Sequence, residues 1–256
     1  MFTYSPPKDL LAGRTLLITG ASDGIGRVCA TTFAEYGADL ILLGRSQEKL
    51  EQLFDELEAK YPGKATIQPM DFSTANADDY TALGESLTES FPVLDGLLHN
   101  AGLLGTLCPI EHYPGAEWEK LVKVNLDATF FLTKAAMPSL QRSGDGRLLF
   151  TSSSVGRKGR AYWGAYAITK FAVEGLMQTM ADELGSTSKI RVNSLNPGAT
   201  RTAMRQTAYP AEDPNTLPEP EALMAVYLYL MGPDSNSIHG QTIDAQSFSD
   251  NILPAA

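Results

Sequence analysis

Residues 19–26 read TGASDGIG. The run RTLLITG (14–20) has the length and apolar content of a buried strand, and GIGRVCATTFAEYG (24–37) carries apolar residues at helical spacing up to Gly37, a natural stop. Gly20, Gly24 and Gly26 therefore fall between a strand and a helix. Missing side chains there let a phosphate approach the backbone and the positive end of the helix dipole. An isolated glycine triplet would be read as turn residues. Flanked by a strand and a helix, it points to a dinucleotide site with contacts from Gly20, Ser22, Asp23, Gly24, Ile25 and Gly26.

The same alternation continues outward. ADLILLG (38–44) is a second strand, after which Ser46 can cap QEKLEQLFDELEAKY, whose Leu50, Leu53 and Leu57 make one apolar stripe. KATIQPMD (64–71), LDGLLHN (94–100), GRLLFTSS (146–153) and IRVNSLNPG (190–198) read as further strands. Helices are expected over about 76–90, 116–141 and 162–184, and over LMAVYLYLMG (223–232). Strand and helix repeated this often give an α/β fold, a doubly wound parallel sheet of Rossmann type with helices on both faces. Residues 1–256 are expected to form one domain. AYPAEDPNTLPEPEA (208–222), rich in proline and acid, reads as a mobile loop, so a lid is expected within about 200–220.

Composition excludes several functions. The 30 acidic residues outweigh 20 basic ones, for a net charge of -10, and no cluster of Lys and Arg is present to bind nucleic acid or an anionic membrane. Cys29 and Cys108 form neither a disulfide framework nor a metal motif, and no metal is expected. Cys29 shares a stripe with Ile25 and Phe33, where a packing role suffices. No apolar run reaches the ~18 residues of a membrane span and no leader pattern opens the chain, so a cytoplasmic protein is expected.

In such a sheet ligands lie beyond the C-terminal ends of the strands. The second strand ends in LLGRS, with Gly44 and Arg45 where NAD-binding folds usually place a carboxylate for the ribose hydroxyls. A guanidinium can form a bidentate contact with a 2'-phosphate, which favours NADP(H), although Asp23 adds nearby negative charge. Residues 164–171 read GAYAITKF, and Tyr166 and Lys170, at i and i+4, share one helix face. An ammonium near a phenol is expected to lower its pKa from about 10 toward neutrality.

With TGASDGIG, these stretches join MD at Asp71, HNAG at 99–102, VN at Asn125, SSSVG, YAITK and NPGATRT. In that order they resemble the short-chain dehydrogenase/reductase family over essentially the whole chain, and within it the bacterial YciK-like oxidoreductases. The resemblance implies Asn125, Ser153, Tyr166 and Lys170 as the catalytic tetrad, Ser153 rather than Ser152 or Ser154 having the family's distance to Tyr166. It further implies that Asp71 meets the adenine, and that Asn100, Ala101 and Gly102 pack on the adenosine half and hold the central strand. Asn125 would orient a water linking the lysine to solvent. Tyr166 would exchange the proton with substrate, Lys170 would also hold the nicotinamide ribose, and Ser153 would bond the substrate oxygen. Pro197, Gly198, Thr200 and Thr202 would surround the nicotinamide, with main chain near Thr200 and the Thr202 hydroxyl holding the carboxamide.

The activity so implied is NADP(H)-dependent interconversion of a carbonyl and a secondary alcohol, with a small-molecule substrate. Candidates are a 3-oxoacyl thioester or a lipophilic, steroid-like ketone. A catalytically silent NADPH sensor and a lyase or epimerase on the same fold are the alternatives from other classes. Tyr162, Trp163, Leu103, Leu104 and Met204 are candidates for an apolar pocket, and Arg201 and Arg205 for attracting an acidic substrate. His99, in place of the family's usual Asn, reads as a strand-end hydrogen-bonding residue. The resemblance also implies a homodimer or homotetramer through the helices at 116–141 and 162–184. Ala128, Ala135, Ala136, Ala172 and Gly175 would allow close packing there, or against the protein's own sheet. Where many members close on DGG, this chain has GQTIDAQ (240–246), so its C-terminal segment is expected to differ.

Overall fold

Where the sheet is covered on both faces its strands carry unbroken apolar runs, Leu16–Ile18, Leu40–Leu43, Leu97–Leu98 and Leu148–Phe150. The computed structural model describes residues 2–249. Its strands are β1 (Thr15–Thr19), β2 (Asp39–Gly44), β3 (Ala65–Pro69), β4 (Gly96–His99), β5 (Arg147–Thr151), β6 (Arg191–Asn196) and β7 (Thr242–Asp244). They form one parallel sheet in the order β3-β2-β1-β4-β5-β6-β7. Successive side chains point to opposite faces: Leu16 and Ile18 of β1 join one core cluster and Leu17 the other.

Helices α1 (Gly24–Glu35), α2 (Gln47–Lys60) and α8 (Met224–Met231) cover the first face through Cys29, Phe33, Leu50, Leu53, Leu57 and Tyr227. Cys29 is fully buried there, as its stripe implied. On the other face lie α3 (Ala77–Ser90), α5 (Ala128–Leu140) and α6 (Gly164–Gly185), through Leu83, Leu87, Leu132, Val173 and Met177. Gly37 ends α1 with φ +94°, and Ser46 caps α2 by accepting from the Lys49 N–H at 3.3 Å.

Two elements depart from the sequence reading. The helix expected over 116–141 is broken into α4 (Gly115–Val122), a π turn at Lys123–Asp127, and α5. The π turn inserts a residue into the helical repeat without a composition signal, and it carries Asn125. The acidic, proline-rich stretch is not simply an open loop. It follows a short helix, α7 (Ala203–Ala208), and contains two 3-10 turns, Pro214–Thr216 and Pro220–Leu223. Arg205 binds Glu212 bidentately at 2.6 Å, and Arg201 pairs with Glu219. Two of the four acids that suggested an open surface segment, Glu212 and Glu219, are partners of these two arginines, and Asp213 caps the first turn by accepting from the Asn215 N–H at 2.9 Å.

β1 and β4 are neighbours although α1, β2, α2, β3 and α3 separate them in sequence. Chain direction away from the centre reverses between them, leaving a crevice beyond their C-terminal ends.

Candidate active site

The crevice opens into a cleft of about 480 Å³ lined by Gly20, Asp23, Gly24, Arg45, Asp71, Asn100, Gly102, Ser153, Tyr166, Lys170, Gly198 and Thr202, among others. Ser22, Ile25, Ala101, Pro197 and Thr200 line it as well. Gly26 lies beneath, where a Cβ would come 2.2 Å from the Gly20 carbonyl and 2.5 Å from Asn100 Nδ2. Only glycine allows α1 to start that close under the loop.

Asn100 Nδ2 donates to the Thr19 and Gly20 carbonyls at 3.3 and 3.4 Å, while the Asn100 and Ala101 N–H groups donate to Thr19 Oγ1 at 2.9 and 3.0 Å. These bonds fasten the end of β4 to the end of β1 and to the glycine loop. Asp23 caps α1, accepting from the Gly24 N–H at 2.8 Å, and Lys49 Nζ meets its other oxygen at 2.8 Å. The negative charge that weighed against a 2'-phosphate is thus offset by Lys49, and the carboxyl pKa is lowered chiefly by that lysine. Lys49 lines the cleft beside Arg45 and Ser46 and was missed in sequence; its signal was its place one turn into a helix capped next to Arg45. Arg45 is exposed and has no hydrogen-bond partner among the described residues.

Asp71 accepts from both the N–H and the hydroxyl of Ser73 through Oδ1, at 2.8 and 2.7 Å. Burial pushes its pKa up, but the Ser73 bonds and the Arg45 and Lys120 charges outweigh that and hold it below the usual range. Thr202 caps α7 by accepting from the Arg205 N–H at 3.2 Å, so its hydroxyl serves the backbone. Thr200 is buried with its hydroxyl toward the Pro197 and Gly198 carbonyls, both at 3.4 Å.

At the other end of the cleft, Tyr166 and Lys170 lie on the same face of α6, both buried. Lys170 Nζ donates to the Thr151 carbonyl at 2.7 Å and stands 5.7 Å from the centre of the phenol ring. Burial pushes the Tyr166 pKa up to about 12, with the Ser153 hydroxyl pulling the other way. This corrects the expected lowering by Lys170: withdrawal from water costs the phenolate more than its neighbours return. The Lys170 pKa is itself down to about 8, again by burial, with buried Glu174 one turn further along opposing the shift.

Asn125 is fixed by the π turn. Its Oδ1 accepts from the Leu103 N–H at 2.7 Å, and its Nδ2 donates to the Leu103 carbonyl at 2.9 Å and to Thr169 Oγ1 at 3.2 Å. The Thr129 hydroxyl bonds its backbone carbonyl at 3.0 Å. His99 is buried, stacks on Phe150, and its Nε2 meets Thr133 Oγ1 at 2.8 Å. Since that hydroxyl donates to the Thr129 carbonyl, Nε2 is the donor toward it. Burial first, and the Lys170 charge second, push the imidazole pKa down to about 3, so it is neutral near pH 7.

Leu103, Leu104, Trp163, Met204 and Ala208 wall the cleft next to Tyr166. Tyr162 does not join them: it is 61% exposed, at φ +72°. Arg201 and Arg205 are engaged by Glu219 and Glu212, so neither is a free charge for an acidic substrate.

The model of the family described as short chain dehydrogenase matches residues 14–213, which contain all of these groups. The chain belongs to the short chain dehydrogenase family. The oxidoreductase YciK of Escherichia coli (strain K12) is 49% identical over 243 residues, covering 95% of this chain and 96% of its own. A short chain dehydrogenase from Escherichia coli CFT073, solved complexed with NADPH, superposes with a TM-score of 0.91 at 50% identity, covering 94% of this chain and 100% of that one. Another, from Shigella flexneri 2a str. 301 and complexed with NADP, gives 0.90 at 49% identity with the same coverages. As a short chain dehydrogenase the chain is an oxidoreductase, and no helix among its described residues is long and apolar enough to cross a membrane.

Proposed function

We propose that the protein is an NADP(H)-dependent oxidoreductase that reduces a ketone or aldehyde to the alcohol, with Tyr166 as acid/base. The observation that carries this reading is the meeting of two features in one cleft. A glycine cradle flanked by Arg45 and Lys49 lies at one end, and a buried phenol beside Ser153 and Lys170 lies at the other.

The residues present fit the cofactor. Gly26 leaves no side chain between loop and helix, the Arg45 guanidinium lacks a hydrogen-bond partner among the described residues, and the buried Ser152 hydroxyl in the cleft wall has none either. The NADP and NADPH complexes of the two solved relatives support the same choice. Arg45 and Lys49 would hold the 2'-phosphate, Asp71 the adenine, Lys170 the nicotinamide ribose, and the Pro197–Thr202 segment the nicotinamide. When bound, the reduced cofactor supplies the hydride for the carbonyl carbon.

Ser153 would donate to the substrate oxygen as charge builds on it, and Tyr166, protonated near neutrality, would give that oxygen its proton. Lys170, with a pKa of about 8, is mostly ammonium at pH 7 and would restore the proton through the ribose. Asn125 would orient the water behind it. The wall of Leu103, Leu104, Trp163, Met204 and Ala208 favours a lipophilic carbonyl compound.

The test is titration with NADPH and with NADH by quenching of intrinsic fluorescence, then a panel of ketones and aldehydes with the tighter cofactor. Preference for NADPH with turnover of a lipophilic ketone is expected; NADH bound as tightly as NADPH, or no turnover across the panel, would overturn the reading. In the same titration Lys170→Ala is expected to weaken NADPH about tenfold, through loss of a charge-assisted bond to the ribose. Unchanged affinity would confine Lys170 to a role in chemistry alone.

A homo-oligomer is part of this proposal. Phe130, Ile168 and Phe171 lie exposed on α5 and α6, a face a second copy would cover. The small residues behave differently from one another. Ala128 and Ala136 are buried in the chain's own core and Ala135 packs against Gly84, while Gly175 faces open space. Sedimentation velocity should show a dimer or tetramer at micromolar concentration, and a monomer would remove this part.

A further inference from the structure

The residues closing the sheet where the family's DGG would stand are Asp244, Ala245 and Gln246. β7 pairs with β6 through Ser194↔Thr242, Leu195↔Ile243 and Asn196↔Asp244, and Gln246 lies on the 3-10 turn that follows, Ala245–Ser247. That turn is well anchored. Ala245 is fully buried, Asn196 Nδ2 donates to Asp244 Oδ1 at 2.6 Å, and Arg157 donates to Asp244 Oδ2 at 2.8 Å and to the Ile243 carbonyl at 3.0 Å.

From this anchor the Gln246 side chain reaches across to the loop after β6. Nε2 donates to the Ala199 carbonyl at 2.8 Å and to the Pro197 carbonyl at 3.2 Å. Both partners are carbonyl oxygens, so only the NH₂ end of the amide can face them, and its two N–H groups serve one each. Between these carbonyls sits Gly198, at φ +75°, whose missing Cβ would lie 2.8 Å from both Cδ and Nε2 of Gln246. The amide therefore lies flat against a glycine that has both the conformation and the bareness this contact requires. On its other connections the same loop is held by Asn196 Oδ1, which accepts from the Gly198 N–H at 3.1 Å.

We propose that Gln246 is a positioning residue: its amide holds the Pro197–Ala199 loop, before any ligand arrives, in the shape that receives the nicotinamide end of the cofactor. This rests on the cofactor reading above. Pro197 and Gly198 line the cleft, and two of the loop's carbonyls are turned to Gln246. A loop already shaped costs less to order on binding, and the saving belongs to the nicotinamide half of the cofactor alone.

The experiment compares the dissociation constants of NADPH and of adenosine 2',5'-bisphosphate, which lacks the nicotinamide half, for the wild-type chain and for Gln246→Leu and Gln246→Glu. Leucine keeps approximate size without the donors, and glutamate faces two carbonyls with a carboxylate. Melting temperature is recorded alongside. NADPH is expected to weaken about fivefold in the leucine variant and more in the glutamate variant, the loss of two part-exposed hydrogen bonds, while the bisphosphate is unchanged. Unchanged NADPH affinity in both variants overturns the inference, as does an equal loss for both ligands with a lowered melting temperature, which marks a merely structural residue. Failure of the wild-type chain to bind either ligand overturns the cofactor site itself.

Discussion

Tyr166→Phe is expected to lower kcat about a thousandfold and to leave the NADPH dissociation constant within about twofold, as read by steady-state kinetics and fluorescence titration. The substitution removes the hydroxyl and leaves the ring, which packs against Trp163 at 5.8 Å between centroids. What disappears is the proton. With the phenol pKa raised to about 12 by burial, Tyr166 is almost wholly protonated at pH 7, the right form for an acid that serves a carbonyl. The oxidative direction needs the phenolate, so in the free protein it is disfavoured by the same burial. Rates of reduction should accordingly hold across neutral pH, while oxidation should rise with pH. A phenylalanine variant with wild-type turnover would remove Tyr166 from the chemistry, and one that fails to bind NADPH would show that its hydroxyl serves the site's structure instead.

The parts of the site that could be read in the sequence are those set by local rules. Gly20, Gly24 and Gly26 announce themselves because a strand precedes them and a helix follows, and Tyr166 and Lys170 because helical spacing alone puts them on one face. Six of the sheet's seven strands were legible as short segments alternating with helices, and β7 was not, its TID being too short to stand out. What sequence could not show depends on contacts between distant segments. The π turn that sets Asn125 against Leu103 and Thr169 leaves no trace in residue type. The direction of the Tyr166 pKa needed the depth of burial, and the pairing of Asp23 with Lys49 joins the ends of two helices. The acids of 208–222 suggested an open loop because the partners of Glu212 and Glu219, Arg205 and Arg201, lie outside that stretch.

Arg45→Asp is expected to weaken NADPH about a hundredfold while changing NADH by less than about threefold. The two cofactors differ in the 2'-phosphate, so the charges around the place it would occupy set the preference. Arg45 follows β2 with no hydrogen-bond partner among the described residues, Lys49 is one helical turn beyond, and Asp23 of the glycine loop is already bonded to Lys49 at 2.8 Å. A phosphate would meet one free guanidinium and one shared ammonium, with the positive end of α2 at Ser46 behind them. Charge-assisted contacts of this kind are each worth about 1.5–3 kcal/mol, and about 1.4 kcal/mol is tenfold in affinity, so loss of Arg45 with a new carboxylate in its place reaches the stated factor. The same carboxylate could accept from the free ribose hydroxyls of NADH, which is why NADH should suffer little. Raising the salt concentration should narrow the difference between the two cofactors in the wild-type chain, since Arg45 is exposed and its charge is open to screening. Equal losses for NADPH and NADH in the variant would place the damage in the fold of the loop, and would leave the preference for NADPH to Lys49 and Ser46.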